Sequence, residues 1–302
     1  MEDYTEEILV WEILQDMQNR WLLYSSERNI YGLLKKDQVP WITAEDFSGT
    51  IDGLIIGVEK CPDGWIYTVD RGDKFMLEVV SELECVHDKL VQVDKVARIP
   101  GEKSKVLVTG DTGLFVGSWG ENTKYLMERL HDKAIDVVKN SDSIRELIQS
   151  ALGLRFPVKM EITEPARQVI VYIPKNLIGL AFGRGKINLT LAMRLIDWNI
   201  SLTVLRDPFI YENGFPTDII DDLVQNNIMT SDQLYDLIVE GNGKEILKAE
   251  TVSYLEDVLE PGHEEESGPY ECPQCGATFY EELTKCPECG CEFEYEEVED
   301  ES

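Results

Sequence analysis

Between residues 5 and 40 the apolar positions fall at Ile8, Trp11, Ile13, Leu14 and Met17 and again from Trp21 to Tyr24, near the spacing of an amphipathic helix. This predicts one or two helices over 1–45, ending around Val39-Pro40, because proline disfavours a helical residue before it. From 47 to 72 the pattern changes. SGTIDGLIIGVEK and WIYTVDRGDK flank a Pro-Asp-Gly turn, which predicts a β-hairpin or a reduced barrel-like segment over 46–74. On this reading a complete five-stranded barrel does not fit before residue 75.

Beyond residue 75 the chain repeats itself. FMLEVVSELECV reads as a helix, LVQVDKVARIP and KSKVLVTG as strands, TGLFVGSWGENTKYLMERLH as helix, glycine loop and helix, and AIDVVK as a strand. The same order returns in SIRELIQSALG, PVKMEITE, QVIVYIPKN, LIGLAFGRGKINLTLAMRLI and WNISLTVL. Each unit is αββααβ and about 65 residues long, so an internal duplication is the simplest account, with units at 75–140 and 141–208. Residues 209–260 form an acidic helical domain, with Thr230-Ser231 and Thr251 as expected helix N-caps. A polar linker (261–269), a cysteine module (270–295) and an acidic tail (296–302) follow. The expected class is therefore α+β and multi-domain.

Charge changes this picture by its placement more than by its total. The 302 residues carry a net charge of -30. Residues 1–74 hold 7 Lys/Arg against 15 Asp/Glu, residues 75–210 hold 18 against 17, and residues 211–302 hold 3 against 26. Only the duplicated middle can approach a polyanion without strong repulsion. No run of 18 apolar residues exists and the N-terminus is acidic, so neither a membrane span nor a secretory signal is expected and the expected location is cytoplasmic. The three histidines, His87, His131 and His263, stand in no recognisable catalytic arrangement, and a non-enzymatic protein is expected.

The two glycine loops occupy matching places in their units. Gly117-Ser118-Trp119-Gly120 has Gly-x-x-Gly spacing; in Gly183-Arg184-Gly185-Lys186 the second glycine comes one place early. A backbone that must approach a sugar-phosphate chain closely tolerates no Cβ at the contact. The helix that starts after such a loop directs amide hydrogens and its positive dipole end at the same phosphates. An αββααβ unit with this loop resembles a type II KH domain, a module that holds about four nucleotides of single strand. The long glycine loop ending in Gly-Lys-Ser/Thr is missing, as is a third glycine at dinucleotide spacing, which argues against a phosphate-cradle enzyme.

VARIPGEKSKVLV (96–108), LFVGSWGEN (114–122) and IPKNLIGLAFGRGKINLTLAMRLIDWNISL (173–202) resemble the tandem KH core of the bacterial NusA family over roughly residues 75–205. The resemblance implies an RNA-binding factor of elongation, pausing, termination and antitermination that contacts RNA polymerase and nascent RNA. It assigns RNA binding to Gly117, Ser118, Trp119, Gly120, Gly183, Arg184, Gly185 and Lys186, with Lys124 and Arg194 as further phosphate contacts. Family members place arginines where this chain has Asn122 and Thr190, and they lack the cysteine module, so the chain reads as a divergent relative of unusual lineage, such as a large phage. Trp119 is equally suited to stacking on a base or docking on protein, and Trp198 reads as core. Two alternatives stay open: an acidic protein-interaction adaptor whose KH scaffold binds no RNA, and an RNA-processing or ribosome-associated factor.

Five of the seven cysteines fall within twenty residues near the C-terminus. Cys272-x-x-Cys275 and Cys286-x-x-Cys289, each followed by a glycine, supply four soft ligands with the spacing of a structural zinc ribbon holding one Zn²⁺. Cys291 is an alternative ligand to Cys289, while Cys61 and Cys85 read as buried or half-buried thiols. The surrounding glutamates suit protein docking better than nucleic acid. The acidic end as a whole reads as a solvated face that either binds a basic partner or folds back to compete with RNA.

Overall fold

The computed structural model describes residues 4–43, 45, 47, 49–62, 64–205, 209–239, 243–259, 270–271, 278–279 and 285. At the N-terminus buried residues alternate with period two: Leu9 and Trp11, then Trp21, Leu23 and Ser25, then Gly32 and Leu34. Period two is the mark of strands with one buried face. β1 (Ile8–Met17), β2 (Arg20–Ser25), β3 (Ile30–Lys35), β4 (Thr50–Cys61) and β5 (Gly64–Asp70) close into a barrel in the order β1-β2-β3-β5-β4, all neighbours antiparallel except β3 and β5.

The helical expectation for 1–45 and the reduced segment expected for 46–74 are both overturned. The helical spacing had included Leu14 and Met17, which are exposed, and it overlooked two tight turns at Gln18 (φ 44°) and Asn29 (φ 55°). Short turns let five strands fit into about 65 residues. Trp11 fills the barrel and donates from Nε1 to the Gly53 carbonyl at 3.1 Å. A Cβ at Gly32 would lie 2.7 Å from Val69 and 2.8 Å from Trp11, so Gly32 makes room for the indole and Val69, and one at Gly53 would overlap Val69, for which that glycine leaves space.

The expected duplication is present. The first unit comprises α1 (Asp73–Ser81), α2 (Glu84–His87), β6 (Val91–Ile99), β7 (Lys103–Gly110), α3 (Thr112–Val116), α4 (Glu121–Leu130) and β8 (Ala134–Lys139). The second comprises α5 (Ile144–Leu152), β9 (Lys159–Thr163), β10 (Gln168–Ile173), α6 (Ile178–Phe182), α7 (Ile187–Ile196) and β11 (Asn199–Val204). In each three-stranded sheet the middle strand is antiparallel to the strand before it and parallel to the edge strand after it.

Two buried arginines lock the first unit to the barrel. Arg71, fully buried, donates to the Asp52 carbonyl and carboxylate in β4 and to the Arg129 carbonyl at the end of α4. Arg98 holds Asp132 in a bidentate pair at 2.8 and 2.9 Å and donates to the Arg71 and Leu130 carbonyls. Asp132 also accepts from the Gly101 amide and the Ser104 hydroxyl, so a wholly buried ion pair has its remaining lone pairs satisfied.

The two units share a core. One face of the first sheet packs on its own helices through Val96, Val106 and Val108. Its other face, at Ala97, Leu107 and Val138, joins Ile148 of α5 and Leu191 and Leu195 of α7. Lys95 pairs with Asp197 across the same joint at 2.6 Å.

A first compact body covers residues 1–234 and a second covers 235–302. The first body takes in α8 (Phe209–Glu212) and α9 (Thr217–Gln225), so the acidic helices expected as one domain over 209–260 are divided. Tyr211 ties α8 to the second unit by donating to the Pro157 carbonyl at 3.0 Å, and burial pushes its phenol well up. Thr230 caps α10 (Ser231–Val239) as expected, accepting from the Gln233 amide, while the Gln233 side chain accepts from Met229 and Thr230.

In the second body α11 (Gly243–Ile246) precedes α12 (Ala249–Leu259). Thr251 sits inside the first turn of α12 and not at its cap, because the helix begins two residues earlier. β12 (Tyr270–Glu271) and β13 (Thr278–Phe279) pair antiparallel. The linker 261–269, the tail 296–302 and all five clustered cysteines, Cys272, Cys275, Cys286, Cys289 and Cys291, lie outside the described residues.

Candidate nucleic-acid interface

The α3–α4 and α6–α7 loops have one conformation. Gly117 (φ 76°, ψ 170°) corresponds to Gly183 (66°, 169°), Trp119 (55°, 22°) to Gly185 (59°, 22°), and Gly120 (76°, 25°) to Lys186 (63°, 16°). Both loops thus need left-handed backbone at their third and fourth positions, and each places glycine at only one of the two. The early glycine of the second loop therefore leaves the loop shape unchanged. Trp119 and Lys186 each occupy a left-handed position that glycine would adopt without strain.

The first glycine of each loop answers to an asparagine five residues on. Asn122 Nδ2 donates to the Leu114 and Phe115 carbonyls at 3.4 and 3.0 Å. Asn188 Nδ2 donates to Leu152, Leu180 and Ala181 at 2.8, 3.3 and 3.0 Å. Each amide satisfies carbonyls left open at the end of α3 or α6. A Cβ at Gly117 would come 3.0 Å from Asn122, and one at Gly183 2.7 Å from Asn188. This pairing was missed from sequence, although Gly-x4-Asn recurs in both units and is the signal that would have revealed it.

Ser118, Trp119, Lys124, Arg184, Gly185 and Lys186 are exposed, with Trp119 at 96%. The Lys186 ammonium lies 5.9 Å from the Phe182 ring centre. Arg194 is not gathered with these groups. Its guanidinium donates to the Arg98 carbonyl at 2.9 Å and to Asp73 at 2.5 Å, so it serves the joint between the units. Trp198 packs against the shared core as expected.

A cleft of about 820 Å³ runs between the units. Thr123 at the start of α4 and Ile135 and Asp136 of β8 line one side; Leu154, Gly179 and Gly183 line the other. It therefore joins the edge strand of the first unit to the loop entrance of the second. Lys105, fully buried, donates to the cleft residue Asp136 at 2.6 Å, and Lys103 lies 2.7 Å from the same carboxylate oxygen. Burial pulls the Lys105 ammonium below its usual range against the opposing pull of Asp136. Burial pushes the Asp136 carboxyl up, but the two lysines outweigh it and hold the group below the usual carboxylate range. Sequence reading did not single out these three residues.

Among the described residues no group of three His, Cys, Asp or Glu is arranged to hold a metal, and no helix is long and apolar enough to cross a membrane. Cys85 is buried and Cys61 half-buried, both as free thiols.

Residues 71–140 match the family model described as a NusA-like first KH domain. The transcription termination/antitermination protein NusA of Bacillus subtilis is 28% identical over 225 residues, which cover 70% of this chain and 60% of that protein. Its namesake in Halalkalibacterium halodurans is 27% identical over 205 residues, covering 65% of this chain and 53% of the relative. The one from Rickettsia conorii is 30% identical over 183 residues, covering 56% and 36%. The chain thus spans only a third to three fifths of the length of these relatives. Loop geometry and repeated topology agree with these matches: residues 71–140 match a NusA-like first KH domain, and the chain is similar to bacterial NusA proteins over 56–70% of its length.

Proposed function

We propose that the chain is a non-enzymatic transcription factor of the NusA kind. It binds nascent single-stranded RNA with its KH pair, contacts RNA polymerase, and modulates elongation, pausing, termination or antitermination in the cytoplasm. One observation carries the reading: two loops of matching backbone are each followed by a ten-residue helix, and a cleft between the KH units is lined by Gly183 of the second loop and by Val116 and Thr123, which flank the first. Helix N-termini supply amide hydrogens and a positive dipole end, while Arg184, Lys186 and Lys124 supply the exposed cations.

The acidic helices and tail repel RNA, and we assign them to contacts with a basic protein surface such as one on the polymerase. The two Cys-x-x-Cys pairs suit one structural Zn²⁺, because four thiolates complete a tetrahedral shell and leave no open position.

RNA binding by the full chain at two salt concentrations tests the central claim. Three phosphate contacts predict a slope of log K against log salt of about -2. Ser118→Asp and Arg184→Asp, which place a carboxylate at exposed positions of the two loops, should each weaken binding strongly while leaving the fold intact. No detectable binding by the unsubstituted chain at low salt would refute the RNA reading, and failure to co-purify with RNA polymerase would refute the partner.

A further inference from the structure

The two KH loops share a backbone and differ in chemistry. The second carries two cations, Arg184 and Lys186, whereas the first carries none and presents Trp119 instead. Trp119 stands 96% exposed on left-handed backbone (φ 55°). Tryptophan is among the more buried residue types on average, and a left-handed conformation is unfavourable for any residue with a Cβ. The free chain therefore bears a backbone cost at a residue whose large apolar face nothing in the fold covers. A glycine at this position, as at Gly185 in the second loop, would remove both.

We propose that Trp119 is a base-stacking residue. The first KH loop holds single-stranded RNA by covering an unstacked base with the indole, while the second holds it through phosphates at Arg184 and Lys186. The assignment rests on the RNA reading above and adds to it a division of labour between the loops. Indole has no charge to offer a phosphate, but its face covers any nucleobase, and such stacking is tolerant of sequence. Its chain neighbours Ser118, Gly120 and Glu121 supply no apolar rim of the kind that surrounds an anchor residue in a protein interface. A flat aromatic ring, as on a base, is the partner that fits an isolated indole. Thr123, four residues on in the first turn of α4, lines the cleft between the units.

The test uses the full chain with ten-nucleotide oligo(U) and oligo(A), following affinity, tryptophan fluorescence and the denaturant midpoint for the wild type, W119F, W119G and K186G. Stacking predicts that RNA quenches wild-type fluorescence and that W119F removes the quenching yet keeps most of the affinity. W119G should weaken binding about 5- to 150-fold with the salt slope unchanged, while its denaturant midpoint stays equal or rises because the left-handed strain is relieved. K186G should instead flatten the salt slope by about 0.7. Two results would overturn the assignment: W119G binding RNA as tightly as the wild type, or W119G losing affinity and stability together as a structural residue would. RNA bound by the wild type without any change at Trp119 removes this proposal and leaves the RNA reading standing; no binding by the wild type removes both.

Discussion

Gly183→Ala should damage the second KH unit far more than Gly185→Ala, two residues away. Gly183 lies at φ 66°, ψ 169°, a region that only glycine enters freely and that costs a residue with a Cβ about 1–3 kcal/mol. The added Cβ would lie 2.7 Å from the Cβ of Asn188 and 3.0 Å from its backbone nitrogen. Those atoms belong to the first turn of α7 and cannot swing aside as a flexible side-chain end would. Asn188 must shift, and it donates to three carbonyls, two of them at 2.8 and 3.0 Å. Losing one or two of these buried bonds adds about 1–3 kcal/mol, for a total of about 2–6 kcal/mol. Gly185 (φ 59°, ψ 22°) has nothing within 4 Å of an added Cβ among the described residues, so its substitution costs only the left-handed term of about 1–2 kcal/mol. Amide hydrogen exchange over α6 and α7 reads the opening free energy of the segment that carries the loop. Equal loss of protection in the two variants would refute the claim that the Gly183–Asn188 contact sets the loop, as would no loss in Gly183→Ala.

Two further outcomes follow from named groups. Asp136→Asn leaves the ammonium of Lys105 buried without its counter-charge and should cost about 2–3 kcal/mol in urea denaturation, less than for a wholly buried pair because a third of the Asp136 side chain meets water. Since the folded carboxyl titrates below its unfolded value of about 4, its contribution is fully present above that pH and is lost as pH falls through the depressed folded value. Asp136→Asn should therefore flatten the acid limb of the stability profile, and an unchanged limb would count against the pair. Elemental analysis of the purified chain should find one zinc per molecule, abolished by Cys272→Ser with Cys286→Ser; a metal-free wild type would remove the ribbon.

The duplicated units were legible because their apolar pattern, turn residues and glycine loops agree at every level, which is the condition under which local signals specify a fold. The barrel was not legible. In β1 the buried set is Leu9 and Trp11 with Ile13 half-buried, but exposed Leu14 and Met17 fall where a helix would place apolar residues. Short amphipathic stretches with extra surface apolar groups satisfy both periods, and only the turns decide between them. Here those turns sit at Gln18 and Asn29, residues that enter left-handed backbone without the glycine that would announce them. Pro40, read as a helix stop, instead follows β3 and a short 3-10 turn and lies against Gly101 of the first KH unit.

At the site, the glycines were found from sequence but their meaning was only half read. A glycine one place early sets the second loop apart from the first in spacing, because a pattern of letters cannot show that two adjacent positions both require left-handed backbone. Once that is known, GSWG and GRGK become two ways of filling the same four positions, one keeping a side chain at the third and the other at the fourth. The pairing of Arg194 was hidden for a similar reason: its partners Asp73 and Arg98 are 121 and 96 residues away in sequence. On the proposed RNA reading this pairing has a use in binding. By joining the units, Arg194, the Lys95–Asp197 pair and the shared core of Ala97, Leu107 and Leu191 hold the two loops in one fixed relation. Neither loop alone carries more than two cations, so each is a weak ligand for a polyanion. Engagement of the second loop after the first is then intramolecular, with no linker entropy to lose, and a strand of matching length gains affinity that no single contact supplies.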